Sequence, residues 1–114
     1  MLAYCMPTKF QRGDEMPKAS PEKEKIEYLI SLLRVSDIDT RWRAARTLAG
    51  LGDIALSPLM SRIYDDDDNV RLLSIWALGR MGDSRAADAV SRCRDDDNHF
   101  VKMASEGAVS RLSR

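Results

Sequence analysis

At 114 residues and 12.9 kDa the chain has room for one domain and little else, which excludes a multidomain enzyme. Hydrophobic residues make up 44% and charged residues 32%, a globular balance that excludes a wholly disordered chain. Lys plus Arg (18) cancel Asp plus Glu (18), so no global field favours nucleic acid or an anionic membrane, and any binding must be local.

Residues 1–19 have no hydrophobic periodicity and no signal-peptide core, and a disordered tail is expected there, ahead of a helical domain over 20–114. Ser20-Pro21 opens a first helix over 21–35, whose Ile26, Leu29, Ile30 and Leu33 recur at helical spacing. Asp37 caps a second helix over 38–51, which Gly52 closes with a positive φ. Asp53 is expected to cap a third helix over 55–64, beginning just before Pro58 because proline lacks an N–H. Asp67 caps a fourth over 68–81, closed by Gly82. A fifth over 84–94 follows Asp83, and Asn98 caps a sixth over 99–113. The short connections make neighbours antiparallel, so the fold class is all-α, with three helical hairpins.

These hairpins are copies of one another. An offset of 30 lays Arg41, Ala45, Leu48 and Gly52 on Arg71, Ile75, Leu78 and Gly82, and Ile26, Leu29 and Leu33 on Leu56, Leu59 and Ile63, then on Ala86, Ala89 and Cys93. An offset of 31 carries Val70, Arg71, Ser74, Ala77, Leu78 and Arg80 onto Val101, Lys102, Ser105, Ala108, Val109 and Arg111. We call the first helix of each hairpin B and the second A. One hairpin cannot bury its apolar face, whereas stacking creates a continuous core, so a short α-solenoid is expected. Its core should hold Ile26, Leu29, Leu33, Ala45, Leu48, Leu56, Leu59, Ile63, Ile75, Leu78, Ala89, Val90 and Val109.

The strings TRWRAARTLAGLGD (40–53) and VRLLSIWALGRMGD (70–83), each preceded by an Asp-bearing turn, resemble HEAT repeats of the short kind named after phycobilisome lyases. The likeness covers about 20–114. The third A helix departs from it, with Gly107 where its predecessors have Arg46 and Trp76, and Ser113 where they have glycine. The family includes a di-iron hydroxylase, deoxyhypusine hydroxylase, with His-Glu pairs after the Val-Arg-like start of its A helices. Here those places hold Trp42-Arg43, Leu72-Leu73 and Met103-Ala104, which excludes that activity.

Other chemistry is sparse. Cys5 and Cys93 lie far apart and fit free thiols in a reducing cytoplasm, the expected location. His99 is the one histidine and reads as a capping or surface residue. Serine nucleophiles lack an activating base. Asp65 to Asp68 and Asp95 to Asp97, with Asp37 and Asp39, would line one edge of the stack, but they lack the alternating spacing and glycine of a calcium loop. They read as caps paired with Arg41, Arg71 and Lys102. No catalytic residue, metal or cofactor is expected, and no apolar run is long enough to span a membrane.

Binding is the remaining class of function. Ser31, Ser61 and Ser91 repeat every 30 residues on the polar side of the B helices, beside Arg62, Arg92, Arg34, Tyr64 and Arg94. B helices are expected to line the concave face of such solenoids, where serines flanked by arginines suit an acidic or phosphorylated peptide. Trp76, in a column otherwise polar or glycine, is a candidate interface anchor, with packing against Trp42 or the next repeat the equal alternative. The expectation is a non-catalytic module binding a protein partner through its B-helix face. Replacing Arg62 and Arg92 together by Glu should then abolish binding with the fold intact.

Two alternatives stand beside it. One is a nucleic-acid-associated protein, suggested by the arginines and by HEAT-like DNA glycosylases but disfavoured by the balancing acid. The other, suggested by the family name, is an accessory subunit or chaperone of an enzyme or pigment-lyase system. The last A helix carries Met103, Val109 and Leu112 with no B helix after it, so either the tail residues Leu2 to Phe10 fold across an end of the stack or two chains meet in a homodimer through this terminal helix, the favoured cover.

Overall fold

A computed structural model of the protein describes residues 21–112; the expected disordered tail over 1–19, the Ser20 cap and Ser113 lie outside the described residues. Among the described residues there are six α-helices and no strand: α1 (Pro21–Ser31), α2 (Ile38–Leu51), α3 (Asp53–Arg62), α4 (Asp68–Met81), α5 (Ala87–Arg92) and α6 (His99–Leu112). One-turn 3-10 segments extend α1 at Leu32–Arg34 and flank α5 at Ser84–Ala86 and Cys93–Asp95. In B/A order the hairpins are α1 with α2, α3 with α4, and α5 with α6, and the A helices pack in series, α2 on α4 and α4 on α6.

The column of caps holds, because each side chain meets backbone donors that a helix start leaves orphaned. Asp37 accepts from the Thr40 N–H at 3.0 Å. Asp67 accepts from Asn69 and Val70 at 2.8 and 3.2 Å, and Asn98 from Phe100 and Val101 at 2.9 and 3.2 Å. Gly52 and Gly82 both close A helices at positive φ, 70° and 71°. Asp53 differs from its expected role. Gly52 already serves as the N-cap, its carbonyl accepting from Ala55 N–H at 2.9 Å, so α3 starts at Asp53 and that carboxylate is drawn instead to Arg85. As a result Pro58 sits inside α3 rather than in its first turn. Asp83 does cap, and hydrogen bonds from the Arg85 side chain and backbone N–H hold its pKa down at about 2.

Eleven of the thirteen expected core residues are buried, and Ala89 and Val109 are only half-buried. In their place α6 turns Val101, Ser105, Ala108 and Leu112 inward, and α4 adds Val70, Leu73, Ser74 and Ala77. The small residues matter. A Cβ built at Gly79 would lie 2.8 Å from the Ala108 Cβ and 3.0 Å from its Cα, so α4 and α6 touch backbone to backbone there.

The Asp-rich turns staple one repeat to the next. Asp65 accepts from Arg34 of the preceding hairpin at 2.9 Å, and Asp96 accepts from Arg71 Nε at 3.0 Å. Asn98 donates back to Asp68 at 2.9 Å. Arg71, whose side chain is 16% exposed, also donates to the carbonyls of Asp65 and Asp66 at 2.8 and 3.2 Å. Burial alone would lower its pKa, but the hydrogen bonds to Asp96 and Asp68 outweigh that and raise it. Arg41 clamps the equivalent turn through the carbonyls of Val35 and Ser36 rather than through a carboxylate.

Candidate functional site

The nine candidate residues lie on two different sides of the stack. Ser31, Arg34, Ser61, Arg62, Tyr64, Ser91, Arg92 and Arg94 belong to the B helices and the turns after them, whereas Trp76 belongs to the A row. The serines serve their own helices: the Ser31 hydroxyl donates to the Tyr28 carbonyl at 2.5 Å and the Ser61 hydroxyl to the Pro58 carbonyl at 2.7 Å. Ser91 Oγ accepts from Arg94 at 3.0 Å, and its carbonyl accepts from Arg94 Nε at 3.2 Å. These side chains can still meet a ligand, but each has a local partner.

The arginines divide into two pairs. Arg34 and Arg62 converge on Asp65, at 2.9 and 3.5 Å, and Arg62 also reaches Glu27 at 3.8 Å. The Asp65 side chain is 8% exposed, so the two guanidiniums neutralise a largely buried carboxylate. Replacing Arg62 by Glu would set a carboxylate against Asp65 and Glu27, so the Arg62/Arg92 charge reversal should cost stability as well as binding. Arg92 and Arg94 remain, and neither pairs with a carboxylate among the described residues. Arg92 lines a cavity of about 390 Å³ with Tyr64, a residue 62% exposed, and with Asp65, Asp66, Asp95 and Asp96. Cys93 reaches the same cavity but is buried, and burial followed by the nearby Asp96 charge pushes its thiol pKa up. A raised pKa disfavours the thiolate and hence nucleophilic chemistry.

Trp76 is half-buried. Its ring meets Trp42 edge-on at 5.0 Å, and the Arg80 guanidinium lies 5.5 Å from its centroid. Arg80 and Arg111 were not among the candidates. The signal for them was the offset of 31 that equates the two positions, with the loss of a side chain at Gly107 beside them. A recess of about 260 Å³ is lined by Trp76, Gly79, Arg80, Gly107 and Arg111. Farther up the same row, Ile38 and Phe100 are 62% and 67% exposed around a larger cavity of about 510 Å³. His99 opens α6, exposed and edge-on to Phe100 at 5.8 Å. Among the described residues no three His, Cys, Asp or Glu side chains gather into a metal-binding group, and no helix is long and apolar enough to cross a membrane.

A family model of HEAT repeats matches residues 26–110. No curated protein matches the chain. Among solved structures 21 chains match, including one from the complex of CpcE and CpcF of phycocyanin lyase from Nostoc sp. PCC7120, 22% identical with a TM-score of 0.60. The match covers 88% of this chain and 40% of that one, so the chain spans less than half the length of the protein it resembles. At that identity the likeness shows the fold.

Proposed function

We propose, because this chain belongs to the HEAT-repeat family, that it is a non-catalytic module that binds a protein partner, the B-helix side supplying one contact surface. The observation that carries this reading is Tyr64, 62% exposed over a cavity that Arg92 also lines. Tyrosine and arginine are two of the residue types enriched at binding hot spots. The surface narrows to Tyr64, Arg92 and Arg94, since Arg34 and Arg62 hold Asp65. The partner's acidic or phosphorylated group would meet Arg92 on the side away from the cavity's aspartates, of which Asp65 and Asp96 are already held by Arg34, Arg62 and Arg71. Support for a protein partner also comes from the similar solved structure, itself a complex of two chains, CpcE and CpcF. The alternative of an accessory subunit in an enzyme or lyase system is a special case of the same activity.

A nucleic-acid role is less well supported. It calls for a stripe of unpaired cations, and here Arg34, Arg43, Arg62, Arg71 and Arg85 each pair with an aspartate. A homodimer through α6 would rest on Met103, 53% exposed, because Leu112 of the same stripe is already buried.

Affinity capture from the native cell, run in parallel with wild type and the Tyr64→Ala/Arg92→Glu variant, tests the reading. A partner retained by wild type should be lost from the variant, with affinity reduced about tenfold or more and an unchanged melting curve. Equal retention by both would remove the B-helix side as the site.

A further inference from the structure

The A row presents a groove between α4 and α6 whose chemistry changes along its length. Leu72, Trp76 and Arg80 follow one another at four-residue spacing on α4, so they share a face. Facing them on α6 are Phe100, Gly107 and Arg111. One end is exposed and mixed, with Leu72 and Phe100 beside Asp68, Asn69 and Asn98, the middle is aromatic, and the other end is basic.

The basic end is built for an anion. Arg80 lies along the Trp76 ring, and Arg111 is fixed by the hydrogen bond from its Nε to the Gly79 carbonyl at 3.2 Å. Neither has a carboxylate partner among the described residues, whereas Arg34, Arg43, Arg62, Arg71 and Arg85 do. Guanidiniums held by a ring and by a carbonyl lose little further freedom when they bind a carboxylate, and their remaining N–H groups are free to donate. The middle of the groove is open because position 107 is bare. Its counterparts in the other repeats are Arg46 and Trp76, and nothing lies within 4 Å of where a Cβ on Gly107 would stand.

We propose that this groove binds an acidic segment of a partner protein, with an apolar side chain seated against Trp76 over Gly107 and carboxylates held by Arg80 and Arg111. The charge complement selects the occupant: two unpaired cations at one end want carboxylates, while Leu72, Phe100 and the Asp68 carboxylate at the other reject a polyanion lying along the whole groove. The inference rests on the reading of the chain as a protein-binding module, but it uses the other row of helices.

Random peptides displayed on phage and panned against the full chain provide the test. The selected peptides should combine Asp or Glu with a nearby Leu, Phe or Trp. Synthetic copies should lose about tenfold or more in affinity for Gly107→Trp, which refills the recess, and for Arg80→Glu, which reverses its charge. Circular dichroism melting establishes that each variant is folded, and if Gly107→Trp is not, Arg80→Glu decides alone. Peptides without acidic residues, or with affinity unchanged in Arg80→Glu, overturn the groove. If those peptides instead fail on Tyr64→Ala/Arg92→Glu, the protein-binding reading survives without it. If panning yields no binding peptide, both fall.

Discussion

Replacing Leu78 by Ala should lower the unfolding free energy by about 2 to 5 kcal/mol. Leu78 is fully buried in α4, the helix that touches both α2 and α6, so it sits where all three hairpins meet. Removing three carbons there forfeits their transfer free energy and leaves a cavity. The surrounding A helices cannot collapse into it freely, because they are held apart and together by the contacts of their own repeats. Against a total stability of about 5 to 15 kcal/mol for a domain of this kind, the loss is a large fraction. Urea denaturation of wild type and variant measures it, and a change below about 1 kcal/mol would mean that the helix faces are assigned in the wrong register.

The second large effect is Gly79→Leu, expected to destabilise by about 2 to 3 kcal/mol through overpacking. The obstacle at Gly79 is not a flexible side-chain tip. A Cβ there meets both the Cβ and the backbone Cα of Ala108, at 2.8 and 3.0 Å, so α4 and α6 must part to admit it. Parting them also breaks the bond from Arg111 to the Gly79 carbonyl. Gly107→Ala on the facing helix supplies the control. Nothing lies within 4 Å of its Cβ position, so only the helix-propensity gain of about 1 kcal/mol remains and the variant should be more stable. Opposite signs at two glycines of adjacent helices follow from the packing, and equal signs would contradict it.

The helices were legible because three signals agreed. Apolar residues recurred at helical spacing, Gly52 and Gly82 marked left-handed closures, and Asp37, Asp67 and Asn98 marked starts. Where one signal had two readings the sequence misled: Asp53 looked like a cap, but the backbone of Gly52 had already begun α3, carrying Pro58 into its interior. The burial of Ser74 and Ser105, and the partial exposure of Ala89 and Val109, depend on how closely neighbouring helices approach. Periodicity within one helix does not report that distance.

The candidate surface was less legible for the same reason. Which arginines stay free depends on contacts between repeats: Asp65 lies 31 residues from Arg34 yet takes its charge, and Asp96 takes that of Arg71 across 25. Periodicity placed the B-helix arginines on a polar face but could not tell which of them a neighbouring turn would claim. Arg80 and Arg111 show the converse, equivalent in the repeat alignment and left unpaired because no Asp-rich turn lies at their end of the A helices.

The proposed binding surface is created by stacking, so no single hairpin carries it. A map of amide chemical shifts, recorded as labelled protein is titrated with a panned peptide, tests this most directly. A continuous footprint across two repeats is expected, with Trp76 and Gly107 both moving while core amides such as those of Leu78 and Leu48 stay still. A footprint confined to one hairpin, or shifts spread through the core, would contradict it.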